Sequence, residues 1–276
     1  MKKIRSSFIL LVGFVTLLSC NESGIESQAT VYEEILPDTS FHTEENYEAT
    51  VAPPAIYELT DTNHYVSILN ETTYHGDEIP EDVDQQSWIG LYVDKPHYFL
   101  EEITVNAERV NDPIVDEDAA AKTGWQITGS HPGESMVLMQ GIEVETGEII
   151  HSRLSSHEIM PGDTVTFILE GKSYALFASG NAVDMGGWFS CENYKLFLRG
   201  EKNGKTITQL LVAHEDFDDT MIQVIFAGDI DRDHFPDFLL DNARHYNVSL
   251  PTLYLSSQAG DLQFVEITGW LESYGC

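Results

Sequence analysis

Residues 164–178 read Thr-Val-Thr-Phe-Ile-Leu, then Glu170-Gly171-Lys172, then Ser-Tyr-Ala-Leu-Phe-Ala. Two short runs of β-branched and aromatic residues flank a turn that contains glycine, which is the chemistry of a β-hairpin. The same unit recurs outward in both directions. Upstream lie Trp88 to Val93, Tyr98 to Val105, Trp125 to Thr128 and Ser135 to Ile142. Downstream lie Tyr194 to Leu198, Thr206 to Val212, Ile222 to Ala227, Phe238 to Leu240, Thr252 to Leu255 and Gln263 to Ile267. Asn203-Gly204 supplies a second primed-turn dipeptide. Only Asp116 to Lys122, with Ala119 to Ala121, has the composition of a helical turn. The expected fold is all-β, as a sandwich or two packed antiparallel sheets. A soft division near Ala182 to Gly187 separates an N-terminal β half (63–185) from a C-terminal one (186–276), which could share one core.

The 276 residues carry 14 Lys plus Arg against 46 Asp plus Glu, a formal charge of −32. A chain this long buries a real core. Its negative field argues against nucleic acid, which needs clustered basic groups, and against docking of the protein surface on anionic lipid. The few positive charges at the start have an order of their own. Lys2, Lys3 and Arg5 precede an apolar run from Phe8 to Leu18 that is too short to span a bilayer, and Leu17-Leu18-Ser19-Cys20 ends it.

This N-terminus resembles the lipobox signal of bacterial lipoproteins. The resemblance implies that residues 1–19 are a signal peptide, that Cys20 is lipidated, and that the protein is anchored in a membrane of the cell envelope. Asn21 is not Asp, which by the same resemblance implies the outer membrane, facing the periplasm or the surface. No Lys or Arg occurs from Asn21 to Asp94, and residues 20–62 also contain Pro37, Pro53 and Pro54. They read as an acidic, self-repelling flexible tether; the rival reading is a strand in Val31 to Leu36.

The chemistry concentrates in Gly228 to Asp237, Gly-Asp-Ile-Asp-Arg-Asp-His-Phe-Pro-Asp. Alternate-residue spacing followed by a tight turn brings Asp229, Asp231, Asp233 and Asp237 round one centre, and the Phe235 carbonyl can fill a further position. Ca²⁺ takes six to eight such oxygens in a forgiving geometry, whereas Mg²⁺ wants a stricter octahedron. No His and Cys set has zinc spacing, and His234 is expected to point outward. The stretch resembles the calcium-binding unit of FG-GAP and VCBS-type repeats, Gly-Asp-x-Asp-x-Asp-Gly-x-x-Asp before an apolar strand. That resemblance implies Asp229, Asp231, Asp233 and Asp237 as ligands of a structural Ca²⁺. Arg232 and His234 stand where Gly is common, and the second position often needs a positive φ. Leu240 occupies the position where an EF-hand would carry Glu. A single copy argues against a propeller.

With Cys20 lipidated, Cys191 and Cys276 remain, and an even count in an exported protein favours a disulfide between them over two free thiols. Neither a zinc-protease helix, a nucleophile elbow nor a phosphate loop is present in the sequence. The pairs His157-Glu158 and His214-Glu215 suit a strand surface. Asp112, Asp116, Glu117 and Asp118 form an acidic loop that is either solvated, a second ion site, or a carboxylate pair for acid–base work. Glu215, Asp216, Asp218 and Asp219 form another acidic turn. Trp88, Trp125 and Trp270 lie at apolar runs and suit the core; Trp188, after Gly186-Gly187, is the candidate to stack on a ligand such as a sugar ring. Two function classes follow. One is a calcium-stabilised envelope lipoprotein acting as a binding or scaffold module toward a glycan or an envelope protein. The alternative is a secreted glycan-active hydrolase using the carboxylates of an acidic loop.

Overall fold

The computed structural model describes residues 66–118, 120–184 and 189–275; Cys20, the segment 20–62, Trp188 and Cys276 lie outside them. The described chain is built from eighteen strands and one short 3-10 turn, Val83–Gln85. Nine strands make the largest sheet. In spatial order they are β1 (Ser67–Leu69), β7 (Val137–Gln140), β3 (Trp88–Asp94), β4 (His97–Ile103), β8 (Gly147–His151), β13 (Gln223–Asp229), β14 (Asp237–Asp241), β16 (Pro251–Leu255) and β17 (Glu266–Trp270). Neighbours run antiparallel throughout. The two outer strands come back to meet each other, because Val66 N–H donates to the Thr268 carbonyl at 2.9 Å. The sheet is therefore a nearly closed barrel. Gly269 permits the closure: a Cβ there would stand 2.3 Å from the Val66 carbonyl oxygen.

The barrel is filled by Ile68, Leu91, Leu100, Val137, Met139, Ile149, Phe226, Leu239, Leu253 and Leu255, all buried. Each such side chain contributes about 1.5–3 kcal/mol through water exclusion. Two smaller sheets cover the outside of the wall. A three-stranded sheet, β2 (Thr73–Tyr74), β6 (Gly124–Gly129) and β5 (Val105–Val110), packs through Tyr74, Trp125 and Ile127 on Trp88, Tyr92 and Leu138. A four-stranded sheet, β12 (Lys205–His214), β11 (Phe189–Lys202), β10 (Lys172–Asp184) and β9 (Thr164–Leu169), packs through Phe167, Tyr174, Leu176 and Leu198 on Phe238, Leu240 and Tyr254. A two-residue ribbon, β15 (Val248–Ser249) with β18 (Ser273–Tyr274), completes the set.

This layering explains the sequence. Wall strands between two cores have no polar face, so β14 reads Phe-Leu-Leu and β16 reads Pro-Thr-Leu-Tyr-Leu, all buried. In β14, Phe238 and Leu240 face the four-stranded sheet while Leu239 faces the barrel interior. β9, at an edge, alternates instead, with Ile168 exposed.

The all-β expectation holds, and both turn dipeptides work as expected. Glu170 and Gly171 take φ of 48° and 77° between the paired Leu169 and Lys172, and Asn203 and Gly204 take 55° and 72° between Lys202 and Lys205. Residues 112–118 and 120–121 form turns and bends rather than a helix, because Asp116 and Asp118 spend their carboxylates on nearby backbone N–H groups. The expected division near 185/186 lies outside the described residues, between β10 and β11, and the barrel takes strands from both sides of it. Cys191 is a free thiol with no solvent exposure, and burial raises its pKa. Its sulfur fills the space beside Gly180, where a Cβ would approach it to 2.9 Å, so it serves as core packing. No disulfide joins Cys191 to a partner among the described residues.

Candidate metal centre

The β13–β14 hairpin carries the acidic bend, with Asp229 closing the first strand and Asp237 opening the second. Gly228, paired with Asp237, lets β8 cross close by; a Cβ would stand 2.5 Å from the Ile150 carbonyl oxygen. The two flanking carboxylates are inside the protein, with Asp229 2% and Asp237 0% exposed.

Backbone donors fold the bend around these acids. Asp229 accepts from Asp233 N–H and His234 N–H, both at 3.1 Å. Asp237 Oδ2 accepts from Ile230 N–H at 2.6 Å and Asp231 N–H at 3.3 Å. Its Oδ1 accepts from Ser256 N–H at 2.7 Å. Asp233 Oδ1 accepts from Phe235 N–H at 2.9 Å. The Ser256 hydroxyl lies 2.8 Å from both Asp233 Oδ1 and Asp237 Oδ1, yet has one proton to give. Ser256 was not legible as a site residue. It follows β16, and no feature of the acidic repeat points to a residue so far along the chain.

Carboxylate oxygens of Asp229, Asp231 and Asp237 lie within 4.8 Å of one another. The Asp231 carboxylate is bonded by Ser257, whose N–H lies 3.4 Å from Oδ2, and by the Asp233 backbone, while its buried Oδ1 has no partner. Desolvation by burial raises the pKa of all three acids, and neighbouring aspartates add to it: Asp233 and Asp231 for Asp229, Asp233 for Asp231, and Asp231 for Asp237, which stands well above the usual carboxylate range. Crowded carboxylates with an orphaned inward oxygen suit a hard divalent cation, which would supply the missing positive charge. Asp229, Asp231 and Asp237 would hold it, while Asp233 sits alongside, bound to the same serine.

The two departures from glycine have structural work. Arg232 and His234 both take left-handed φ, 62° and 71°. Arg232 Nη2 donates to the carbonyls of Glu145, Thr146 and Glu148, stitching the bend to the approach to β8. His234 does point outward, where its Nδ1 meets Glu170 Oε2 at 2.6 Å on the β9–β10 turn. Between them, Phe235 packs against the core beneath Lys172, whose ammonium lies 4.1 Å from the ring centroid.

Most of the other candidates among the described residues have partners within the fold. Asp112 is buried; its Oδ1 accepts from Ile114 and Val115 N–H, and its Oδ2 meets His75 Nδ1 at 2.5 Å. Asp116 accepts from Asp112 N–H and from Thr123 N–H and hydroxyl, which lowers its pKa. Asp216 pairs with Arg244 and Asp218 with His245. His157 and His214 bond the carbonyls of Val224 and Asn242 rather than their neighbouring glutamates. Trp88 is buried with its indole N–H on the Val83 carbonyl, Trp125 is buried under Arg109, and Trp270 packs partly buried on the core. Comparison with protein-family models, curated proteins and solved structures finds no match to this chain.

Proposed function

We propose that this chain is a calcium-stabilised, membrane-anchored lipoprotein of the bacterial cell envelope that acts as a binding or scaffold module. The observation that carries the calcium reading is the convergence of Asp229, Asp231 and Asp237 around the unpartnered Asp231 Oδ1. Capture of Ca²⁺ neutralises that repulsion and adds folding stability by mass action, about 2.7 kcal/mol at a hundred times Kd. The bend joins strands of the barrel wall and is stitched to β8, β9–β10 and the residues after β16, so a bound ion would stiffen the junction of the barrel with the four-stranded sheet. The acids that a hydrolase would draw from the 112–118 loop are spent on that loop's own backbone and on His75, which favours the module.

A calcium titration followed by thermal unfolding tests the reading. The Tm of the wild-type protein rises with Ca²⁺ and falls on chelation. Asp231→Ala removes the oxygen that has least to do in the fold, so it leaves the chelated Tm little changed and flattens the response. A variant that responds like wild type takes the bend out of the account.

The anchor rests on the lipobox resemblance at Leu17-Leu18-Ser19-Cys20. Acyl chains contribute about 0.8 kcal/mol per buried CH₂, enough for several on one cysteine to hold a protein at a membrane. Cys20→Ala is expected to move the protein from the membrane pellet to the soluble fraction of the expressing bacterium. A variant that still sediments is held by a partner instead.

A further inference from the structure

The C-terminal ribbon strand β18 is fastened at one residue from both sides. Tyr274 pairs with Val248, and Gly275 N–H donates to the Asn247 carbonyl at 2.9 Å. Across from that ribbon, the turn after β2 presents His75 and Glu78. Glu78 Oε1 accepts the Tyr274 N–H at 2.8 Å, while its Oε2 accepts the His75 N–H at 2.8 Å. The His75 imidazole completes the grip by bonding the Tyr274 backbone on one side and Asp112 Oδ2, at 2.5 Å, on the other.

Proton counting decides the state of that ring. A peptide carbonyl only accepts, and Asp112 is an ionised acceptor, fixed in place by Ile114 and Val115 N–H on its other oxygen. An imidazole between two acceptors must carry a proton on each nitrogen. When it loses one, the buried Asp112 keeps the N–H that faces it, and a ring lone pair is turned on the Tyr274 carbonyl.

We propose that His75 is a proton-operated latch on the C-terminal strand, closed while the imidazolium bridges Asp112 and Tyr274 and opened by its deprotonation. The groups around it act in the same sense. Asp112, from the turn after β5, and Glu78, from its own turn, both favour the charged ring, while its burial opposes them; the Asp112 bond is the largest influence, and the net effect is a raised pKa. Arg109 of β5 approaches the same turn near Gly76 but directs its guanidinium to the Thr123 carbonyl and to Glu81. Glu272 adds negative charge beside the Tyr274 side chain. The Asp112 carboxyl is lowered, chiefly by the same His75 bond. Because the folded histidine is raised, the latch is fully present below the ordinary imidazole pKa of about 6.5 and is lost as pH rises through the folded value. At the acid end it is lost as pH falls through the lowered pKa of Asp112.

The test is an NMR titration of the His75 ring, with amide exchange protection at Tyr274 and Gly275 in the full chain from about pH 5.5 to about 9. The ring should titrate above about 6.5, and protection of these two amides should fall about tenfold through the same midpoint while β14 amides hold. Glu78→Gln can keep an acceptor for the Tyr274 N–H at the expense of the His75 N–H bond and removes a charge, so the midpoint moves down and the transition persists. His75→Gln abolishes the transition. A ring that titrates at or below about 6.5, or tail protection in wild type that ignores pH, overturns the latch. So does a His75→Gln protein that retains the transition; if that variant fails to fold, the wild-type and Glu78→Gln titrations still decide.

Discussion

Asp237→Ala is expected to cost about 3–5 kcal/mol of folding stability and to remove the calcium response altogether. The side chain has no solvent exposure, and three residues aim donors at it: Ile230 and Asp231 through their N–H groups, Ser256 through both N–H and hydroxyl. Alanine leaves those buried donors without their acceptor. The bend loses the atom that winds it, and the residues after β16 lose their tie to β14. Asp237→Asn restores one acceptor but turns an N–H₂ toward existing donors, so it should recover only part of the loss. Urea unfolding of the chelated proteins, followed by the same measurement with calcium, separates the two contributions. A loss below about 1 kcal/mol would show that the acid is not the structural hub, and a calcium response that survives would show that it is not a ligand.

Its neighbour should fail differently. Phe238→Ala is expected to cost about 3–5 kcal/mol, because the ring is wholly buried and a large cavity would remain. Phe238 stands edge-on to Phe167 of β9, 6.0 Å between centroids, and sits beside Ala227 and Tyr254 in the wall. It is a main contact between the barrel and the four-stranded sheet. The carboxylate oxygens of the acidic bend are untouched, so the destabilised protein is expected to keep the calcium response proposed for wild type. Unfolding with an unchanged denaturant slope would place the whole effect in the native state. A cost under about 1.5 kcal/mol would mean the cover sheet does not rest its weight there.

The contrast between these adjacent residues shows what was legible in the chain. Hairpins announced themselves locally: Glu170-Gly171 and Asn203-Gly204 both adopt the positive φ pair that the dipeptides favour. The acidic bend was equally visible, because its spacing alone places three of four aspartates together. What escaped depends on contacts between distant segments. β8 has one inward residue, Ile149, and so no apolar run, yet it joins the two halves of the barrel wall. Closure of the barrel rests on Val66 and Gly269, neither with a local signature. The bridge from Cys191 was inferred from an even count of cysteines, but the thiol is packing against Gly180. Ser256 joins Asp237 from nineteen positions further along the chain.

The Val66–Thr268 bond that closes the barrel also gives the molecule a mechanical direction. Val66 directly precedes β1, so a pull applied at this residue acts on the seam itself. The short β1 holds on its other side to β7 through three residue pairs, Ser67 with Gln140, Ile68 with Met139 and Leu69 with Leu138. The β10–β11 pairing, by contrast, spans nine residue pairs. Pulled from Val66, the described fold is expected to release this short strand and its seam first, which a force measurement with the handle at that residue checks.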